Sequence, residues 1–285
     1  MRMRALVLGG SGMAGHVVAA GLAAAGFDVV PTYNRHPVED AVHFSSVDMR
    51  RYDEFFRATE VDVVVNCIGV LVSESEQDPR GALITNAYLP RYLESRFRGS
   101  RTKVIHISTD CVFDGAAGPY SVTDLPTEVS MYGVTKTLGE ISNNKDITIR
   151  TSIIGPELST RESASPGLLH WLLRQGRGSE VKGFSRCVWS GISTLELADA
   201  VVWAARTPSA GVHHVSREVG ISKYDLLSLA VQVFDLGLRV IPCGEKVINK
   251  HLKPSEGSFS VTESYEEMLL RIRRQIESSP HLYTY

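Results

Sequence analysis

Hydrophobic positions in the first half of the chain follow two rhythms. Unbroken apolar runs, "RALVL" (4–8), "FDVVPT" (27–32), "VDVVVN" (61–66), "KVIHIS" (103–108) and "DITIRT" (146–151), read as strands. They lack polar alternation, which suits strands covered on both faces, as in a parallel sheet. Between them, segments at 13–25, 50–58, 79–97 and 130–143 repeat their apolar residues with a helical period. Strand and helix in alternation predict an α/β fold with a doubly wound parallel sheet of the Rossmann type.

After residue 155 the pattern changes. "GPELSTRESASPG" is rich in turn formers and reads as a loop, followed by helical stretches at 166–176, 194–206, 222–235 and 262–277 with short strands between. Ser193 and Glu196 stand in the spacing of a capping box at the start of the second of these helices. The expected organisation is a dinucleotide-binding domain over residues 1–156, completed by segments around 185–215, and a smaller C-terminal α+β substrate lobe over 157–285.

Composition narrows the function classes. Hydrophobic residues make up 43% and charged residues 22%, with a net charge of −2, an ordinary globular balance. No basic tract speaks for nucleic acid; Arg96, Arg98, Arg101 and Lys103 read as the solvated end of a helix and the turn after it. Cysteines at 67, 111, 187 and 243 form no Cys-x-x-Cys pair, which fits reduced thiols rather than disulfides or zinc. His213 and His214 lack a third ligand at suitable spacing and read as structural, so no metal is expected. The apolar run in "MRMRALVL" is too short for a signal peptide, and residues 13–30 are broken by His16, Gly21, Gly26 and Asp28. A cytoplasmic protein without a membrane span is expected.

"VLGGSGMAGH" places Gly9, Gly12 and Gly15 at three-residue intervals between the first strand and the first helix. Glycines there permit a sharp turn and bring backbone N–H groups to a pyrophosphate at a helix N-terminus. The end of the second strand, "PTYNRH", carries Asn34 and Arg35 but no acid for a ribose 2′-OH. Arg35 suits a 2′-phosphate, which favours NADP(H), with NAD(H) as the alternative. Asp48 is placed to accept from an adenine amino group.

"SMYGVTKTLGE" (130–140) sets Tyr132 four residues before Lys136, so on a helix both side chains leave the same face. A phenol donates a proton poorly at neutral pH, and a neighbouring ammonium lowers its pKa. "HISTDCVFDG" brings Ser108, Thr109 and Asp110 to the carboxyl end of the fourth strand, where ligands gather in open α/β sheets. Successive strand residues face opposite ways, so only one of Ser108 and Thr109 can serve beside the tyrosine.

In order along the chain, "GGSGMAGH", "VVNCIG", "ISTDCVFDG", "MYGVTKTLGE" and "IRTSIIG" resemble the extended short-chain dehydrogenase/reductase superfamily. Within it, the likeness is to dTDP-4-dehydrorhamnose reductase and related nucleotide-sugar 4-ketoreductases. It covers most of residues 1–156 and thins beyond, although "GFSRCVWSGISTLELADAV" resembles the segment before the family's substrate-lobe helix. The resemblance implies that Thr109, Tyr132 and Lys136 are catalytic, with Lys136 also holding the nicotinamide ribose. It implies a cofactor cradle of Gly9, Ser11, Gly12, Met13, Gly15, Asn34, Arg35, Asp48, Met49, Cys67, Ile68, Gly69 and Ser108, joined by Tyr132 and Lys136. Substrate contacts are expected from Val70, Asp110, Cys111, Arg186 and Trp189. A homodimer joined through helices is a further family expectation.

Two positions depart from the pattern. Cys111 stands where the family's sugar dehydratases carry a catalytic Glu and its rhamnose reductases usually carry Tyr. It looks aligned with the acid/base cysteine of GDP-fucose synthase, whose partner is a histidine after Gly-Pro; here Glu157 follows Gly155-Pro156. The alternative for Cys111 is a small buried hydrophobe. Ile153 replaces an aromatic the reductases often carry. The expected function is NADP(H)-dependent reduction of the 4-keto group of a nucleotide-linked 6-deoxy sugar for surface polysaccharide synthesis. The alternatives are a nucleotide-sugar epimerase or epimerase-reductase, and a non-catalytic module resembling the regulatory subunit of methionine adenosyltransferase.

Overall fold

The computed structural model describes residues 2–159 and 167–285. Seven parallel strands form the central sheet in the spatial order Gly211–His214, Ile147–Thr151, Lys103–Thr109, Val63–Asn66, Arg4–Leu8, Asp28–Tyr33 and Val42–His43. From its first strand the chain winds outward through Asp28–Tyr33, then returns to Val63–Asn66 and winds the other way. The order thus reverses between the first strand and Val63–Asn66, which opens a crevice above their carboxyl ends.

The pleat sorts the apolar runs onto two faces. Ala5, Val7, Val65, Ile105 and Ile149 meet Val17, Val18 and Leu22 of the helix Met13–Ala24 and Leu197, Ala198 and Val201 of the helix Thr194–Arg206. Those two helices touch so closely that a Cβ on Gly21 would lie 2.7 Å from that of Ala198. On the other face, Leu6, Leu8, Val64 and Val104 pack with Phe44, Tyr52, Phe56, Leu89, Leu93 and Phe97. A third cluster, holding Leu169, Leu172, Leu226, Leu227, Met268, Leu269 and Ile272, joins the helices Leu168–Leu173, Lys223–Val233 and Tyr265–Ser278.

The five strands read from the sequence all form, each within two residues of the expected ends. The segment 79–97 is a continuous helical stretch with a wide turn over Leu83–Tyr88. The helix expected over 130–143 stops at Gly139 instead. There the Ile141 N–H and carbonyl both bond the Thr148 hydroxyl at 2.8 Å, pulling the chain into an extended path. The short helix Val72–Gln77 and the edge strand Val42–His43 carry too little periodicity to be read in advance. Ser193 and Glu196 do form a reciprocal capping box. The expected loop over 155–167 and the start of the helix expected at 166 fall partly outside the described residues.

Candidate active site

The glycine turn is built by close approach. Gly9 has φ +81°, the left-handed region that favours glycine, and its N–H donates to the Thr32 hydroxyl at 3.0 Å. A Cβ on Gly15 would fall 2.0 Å from the Gly9 carbonyl, so only glycine lets the helix start against the strand end. The helix begins at Gly12 with no side-chain cap and no acid in its first turn. Its first N–H groups therefore face the crevice ready for an anion, flanked by partly exposed Ser11 and Met13. Cys67 and Ile68 abut the turn, with Ile68 Cγ1 3.0 Å from where a Gly9 Cβ would stand. Burial pushes the Cys67 thiol up to about 12, which leaves it inert. This cradle fits a dinucleotide pyrophosphate.

The remaining cofactor candidates are spread along the crevice mouth. Asn34 and Arg35 are exposed just past the end of Asp28–Tyr33, and no ion pair engages Arg35 among the described residues. Asp48 is half-buried and pairs with Arg50 at 3.3 Å, so its carboxylate is shared with a cation. Met49 is exposed and lines an apolar depression of about 600 Å³ with Leu83, Ile84, Tyr88 and Leu138, which includes none of Thr109, Tyr132 and Lys136. Gly69 is exposed, and Val70 is held through both backbone groups by the Asn86 side chain.

At the end of Lys103–Thr109 the alternation separates two hydroxyls. Ser108 Oγ donates to Glu140 Oε1 at 2.8 Å, inside a buried pair in which Arg150 grips both oxygens of Glu140 at 2.6 and 2.7 Å. Its hydroxyl is committed to that network. Thr109, 8% exposed, turns the opposite way. Its Oγ1 donates to Asp110 Oδ1 at 3.2 Å, accepts from Cys111 N at 3.1 Å and engages the Tyr132 phenol.

The helix Met131–Gly139 aims Tyr132 at this strand end. Ser130 caps it by accepting from Gly133 N at 3.3 Å. A Cβ on Gly133 would meet Glu128 Cγ at 2.1 Å and the Cys111 carbonyl at 2.7 Å, so a larger residue would push the tyrosine away from Thr109. One turn on, Lys136 is 3% exposed and donates to the Ile107 carbonyl at 2.8 Å.

One electrostatic expectation needs correction. The Tyr132 phenol is pushed up from its ordinary value, first by burial and then by Cys111 and Asp110, with Thr109 opposing. Lys136 is not among the groups that lower it, because its Nζ points to Ile107 and His106 instead. Lys136 itself is brought down to about 8 by burial, against the pull of Glu140 and Cys67.

The expected substrate residues divide. Asp110 and Cys111 flank Thr109, and Cys111 is pushed up to about 12 by burial and by Asp110, with Lys250 opposing. Such a thiol does not supply a thiolate near neutrality, which favours the small-hydrophobe reading over the acid/base one. Trp189 is 7% exposed, its N–H taken by Ser152 Oγ at 2.8 Å and its ring packed beside Tyr265. Arg186 is exposed in the turn between two short strands, its carbonyl accepting from Ile248 N.

Sequence reasoning missed Lys250, which pairs with Glu128 at 3.3 Å in the field of Asp110 and Cys111. The chain Asn249 N to Gly115 O and Tyr120 N to His251 O docks that segment on the loop after Thr109. No local signal marks a residue brought in from so far along the chain. His106, Asn66 and Glu140 were missed too, although Glu140 lies one helical turn beyond Lys136 and Arg150 sits within "IRTS".

Fold and crevice together define an extended short-chain dehydrogenase/reductase. The chain belongs to the family described as RmlD substrate binding domain, which it matches over residues 3–282. It is 30% identical over 241 residues to a probable low-salt glycan biosynthesis reductase, Agl14, of Haloferax volcanii, covering 78% of this chain and 77% of that one. It is 28% identical over 245 residues to the dTDP-4-dehydrorhamnose reductase of Mycolicibacterium smegmatis, covering 84% of this chain and 62% of that protein. Among solved structures, a Bacillus anthracis dTDP-4-dehydrorhamnose reductase in complex with NADP superposes with a TM-score of 0.81 at 19% identity, covering 96% of this chain and all of that one. A Thermotoga maritima UDP-glucose 4-epimerase with UDP-glucose reaches 0.77 at 18% identity, covering 97% and 99%, a likeness of fold alone.

Among the described residues no cluster of side chains is arranged to hold a metal ion, and no helix is long and apolar enough to cross a membrane.

Proposed function

We propose that the protein reduces the 4-keto group of a nucleotide-linked 6-deoxy sugar, using NADP(H). The observation that carries this reading is the meeting of the Thr109 hydroxyl and the Tyr132 phenol at the strand end beside the glycine turn, with Lys136 one helical turn away. A ketone oxygen received between Thr109 and Tyr132 takes a hydrogen bond from the phenol, and one from Thr109 once its hydroxyl turns from Asp110 Oδ1 to the ketone. The burial that raises the phenol keeps its proton in place until charge develops on that oxygen, when the proton moves across. Bound nicotinamide supplies the hydride. Lys136 then stands one turn from the tyrosinate and steadies it. Exposed Arg35 at the end of the second strand supports a 2′-phosphate and hence NADPH over NADH. The high pKa of the Cys111 thiol speaks against an epimerising base.

The test is a panel of 4-keto-6-deoxy sugar nucleotides incubated with NADPH or NADH while the reduced-nicotinamide absorbance is followed. Stoichiometric loss of absorbance with one sugar supports the reading. Epimerised product with absorbance unchanged would replace it with the isomerase alternative, and inertness across the panel would leave the non-catalytic one.

A further inference from the structure

Buried donors need acceptors, and those behind Lys136 cannot all be satisfied in one protonation state. His106 is completely buried, with Nδ1 3.2 Å from Asn66 Nδ2 and Nε2 3.4 Å from Lys136 Nζ. The Asn66 amide has its orientation set, because Oδ1 accepts the Ile68 N–H at 3.2 Å. It therefore presents an N–H to His106 Nδ1, which must accept. That leaves the imidazole proton on Nε2, aimed at Lys136. An ammonium has no lone pair to receive it, whereas a neutral amine does and still donates to the Ile107 carbonyl. If Lys136 is charged, the ring must instead carry its proton on Nδ1, where it meets the Asn66 amide donor against donor.

We propose that His106 is a positioning residue for Lys136, its tautomer locked to the charge on Nζ through the Asn66 amide: Nε2–H with the amine, Nδ1–H with the ammonium. The charged state thereby forfeits the buried Asn66–His106 hydrogen bond, and the pair becomes a proton-sensitive unit directly behind the tyrosine. Burial acts in the same direction by bringing Lys136 to about 8. The titratable groups facing Lys136 are Glu140, just past the end of its helix, Cys67 from the turn after Val63–Asn66, and His106 on the neighbouring strand. Glu140 is itself held by Arg150 and Ser108. Facing His106 are Lys136 and Arg91, and burial with these two cations holds the ring well below 6.5, so it exchanges tautomers without charging.

The inference rests on the proposed role of Lys136, but its first test needs no turnover. Nitrogen-15 shifts of His106 in the ligand-free protein, followed from about pH 6.5 to about pH 9.5, report the tautomer directly. The expected result is Nδ1–H at the acid end and Nε2–H at the alkaline end. His106→Gln offers Nζ an amide oxygen in both states, and should move the alkaline transition of NADPH binding and ketone reduction upward by about one pH unit, a tenfold change in proton concentration. Asn66→Ala removes the donor facing Nδ1 and should shift it the same way, which covers a His106→Gln protein that fails to fold. A ring that keeps one tautomer throughout overturns the proposal, as does a transition unmoved by both substitutions. Exchange of tautomers in a protein that reduces no keto sugar would leave this inference standing and remove the function proposed above.

Discussion

Arg150 holds both carboxylate oxygens of Glu140 at 2.6 and 2.7 Å, with only 6% and 7% of the two side chains exposed. Ser108 adds a third bond to the same carboxylate, and the guanidinium lies 5.4 Å over the Phe113 ring. The pair thus fastens the end of the helix that carries Tyr132 to the strand beside the one that carries Thr109. Glu140→Gln leaves a buried cation without its counter-charge and should cost about 3–5 kcal/mol, lowering the melting temperature by about 10 °C. Replacing both partners, Glu140→Leu with Arg150→Met, should recover most of that loss in thermal denaturation.

Tyr132→Phe removes the proposed proton donor and leaves the ring that fills the helix face. Turnover should fall by about a thousandfold while NADPH affinity, read by fluorescence, stays within about twofold. A variant that turns over normally would remove the tyrosine from the chemistry.

Arg35→Ala should separate the two cofactors. Loss of a charge-assisted contact to a 2′-phosphate is expected to raise the KM for NADPH by about tenfold or more and leave that for NADH unchanged. Equal effects on both would assign Arg35 to the solvated surface.

Cys111→Ser tests the reading of this thiol as a packing group. With its pKa at about 12 it stays protonated at neutral pH, so kcat should remain within about threefold of the parent. Thiol-directed alkylation at pH 7 should likewise be slow.

His214 predicts how the fold responds to acid. Burial and Arg150 depress it from 6.5 to about 4, so between those values the unfolded chain binds more protons than the folded one. Stability should therefore be complete above pH 6.5 and fall as the pH drops through that window, by about 3 kcal/mol at the acid end. Urea denaturation across that range should show the slope, and His214→Gln should flatten it.

The fold was legible where one physical signal dominated. Unbroken Val and Ile runs could only be strands covered twice, and Ser193 with Glu196 marked a helix start from two residues. The glycine turn was legible because Gly15 faces a steric demand that no other residue meets. What escaped is contributed by distance or by balance. Lys250 reaches the crevice through backbone pairing with residues 115–120, which no local pattern encodes. The sign of the Tyr132 shift depends on how much burial outweighs neighbouring charge, and the direction taken by Lys136 Nζ depends on the Ile107 carbonyl. Trp189 shows the same limit, since an indole suits a core as well as a ligand.

The outermost strand beside Ile147–Thr151 is drawn from Gly211–His214, some sixty residues later in the chain. During synthesis, the helix that carries Tyr132 and the glycine turn therefore leave the ribosome while their sheet still has a raw apolar flank. That flank is sealed only when the neighbouring segment arrives, so the nascent chain spends an interval open to pairing with the wrong strand.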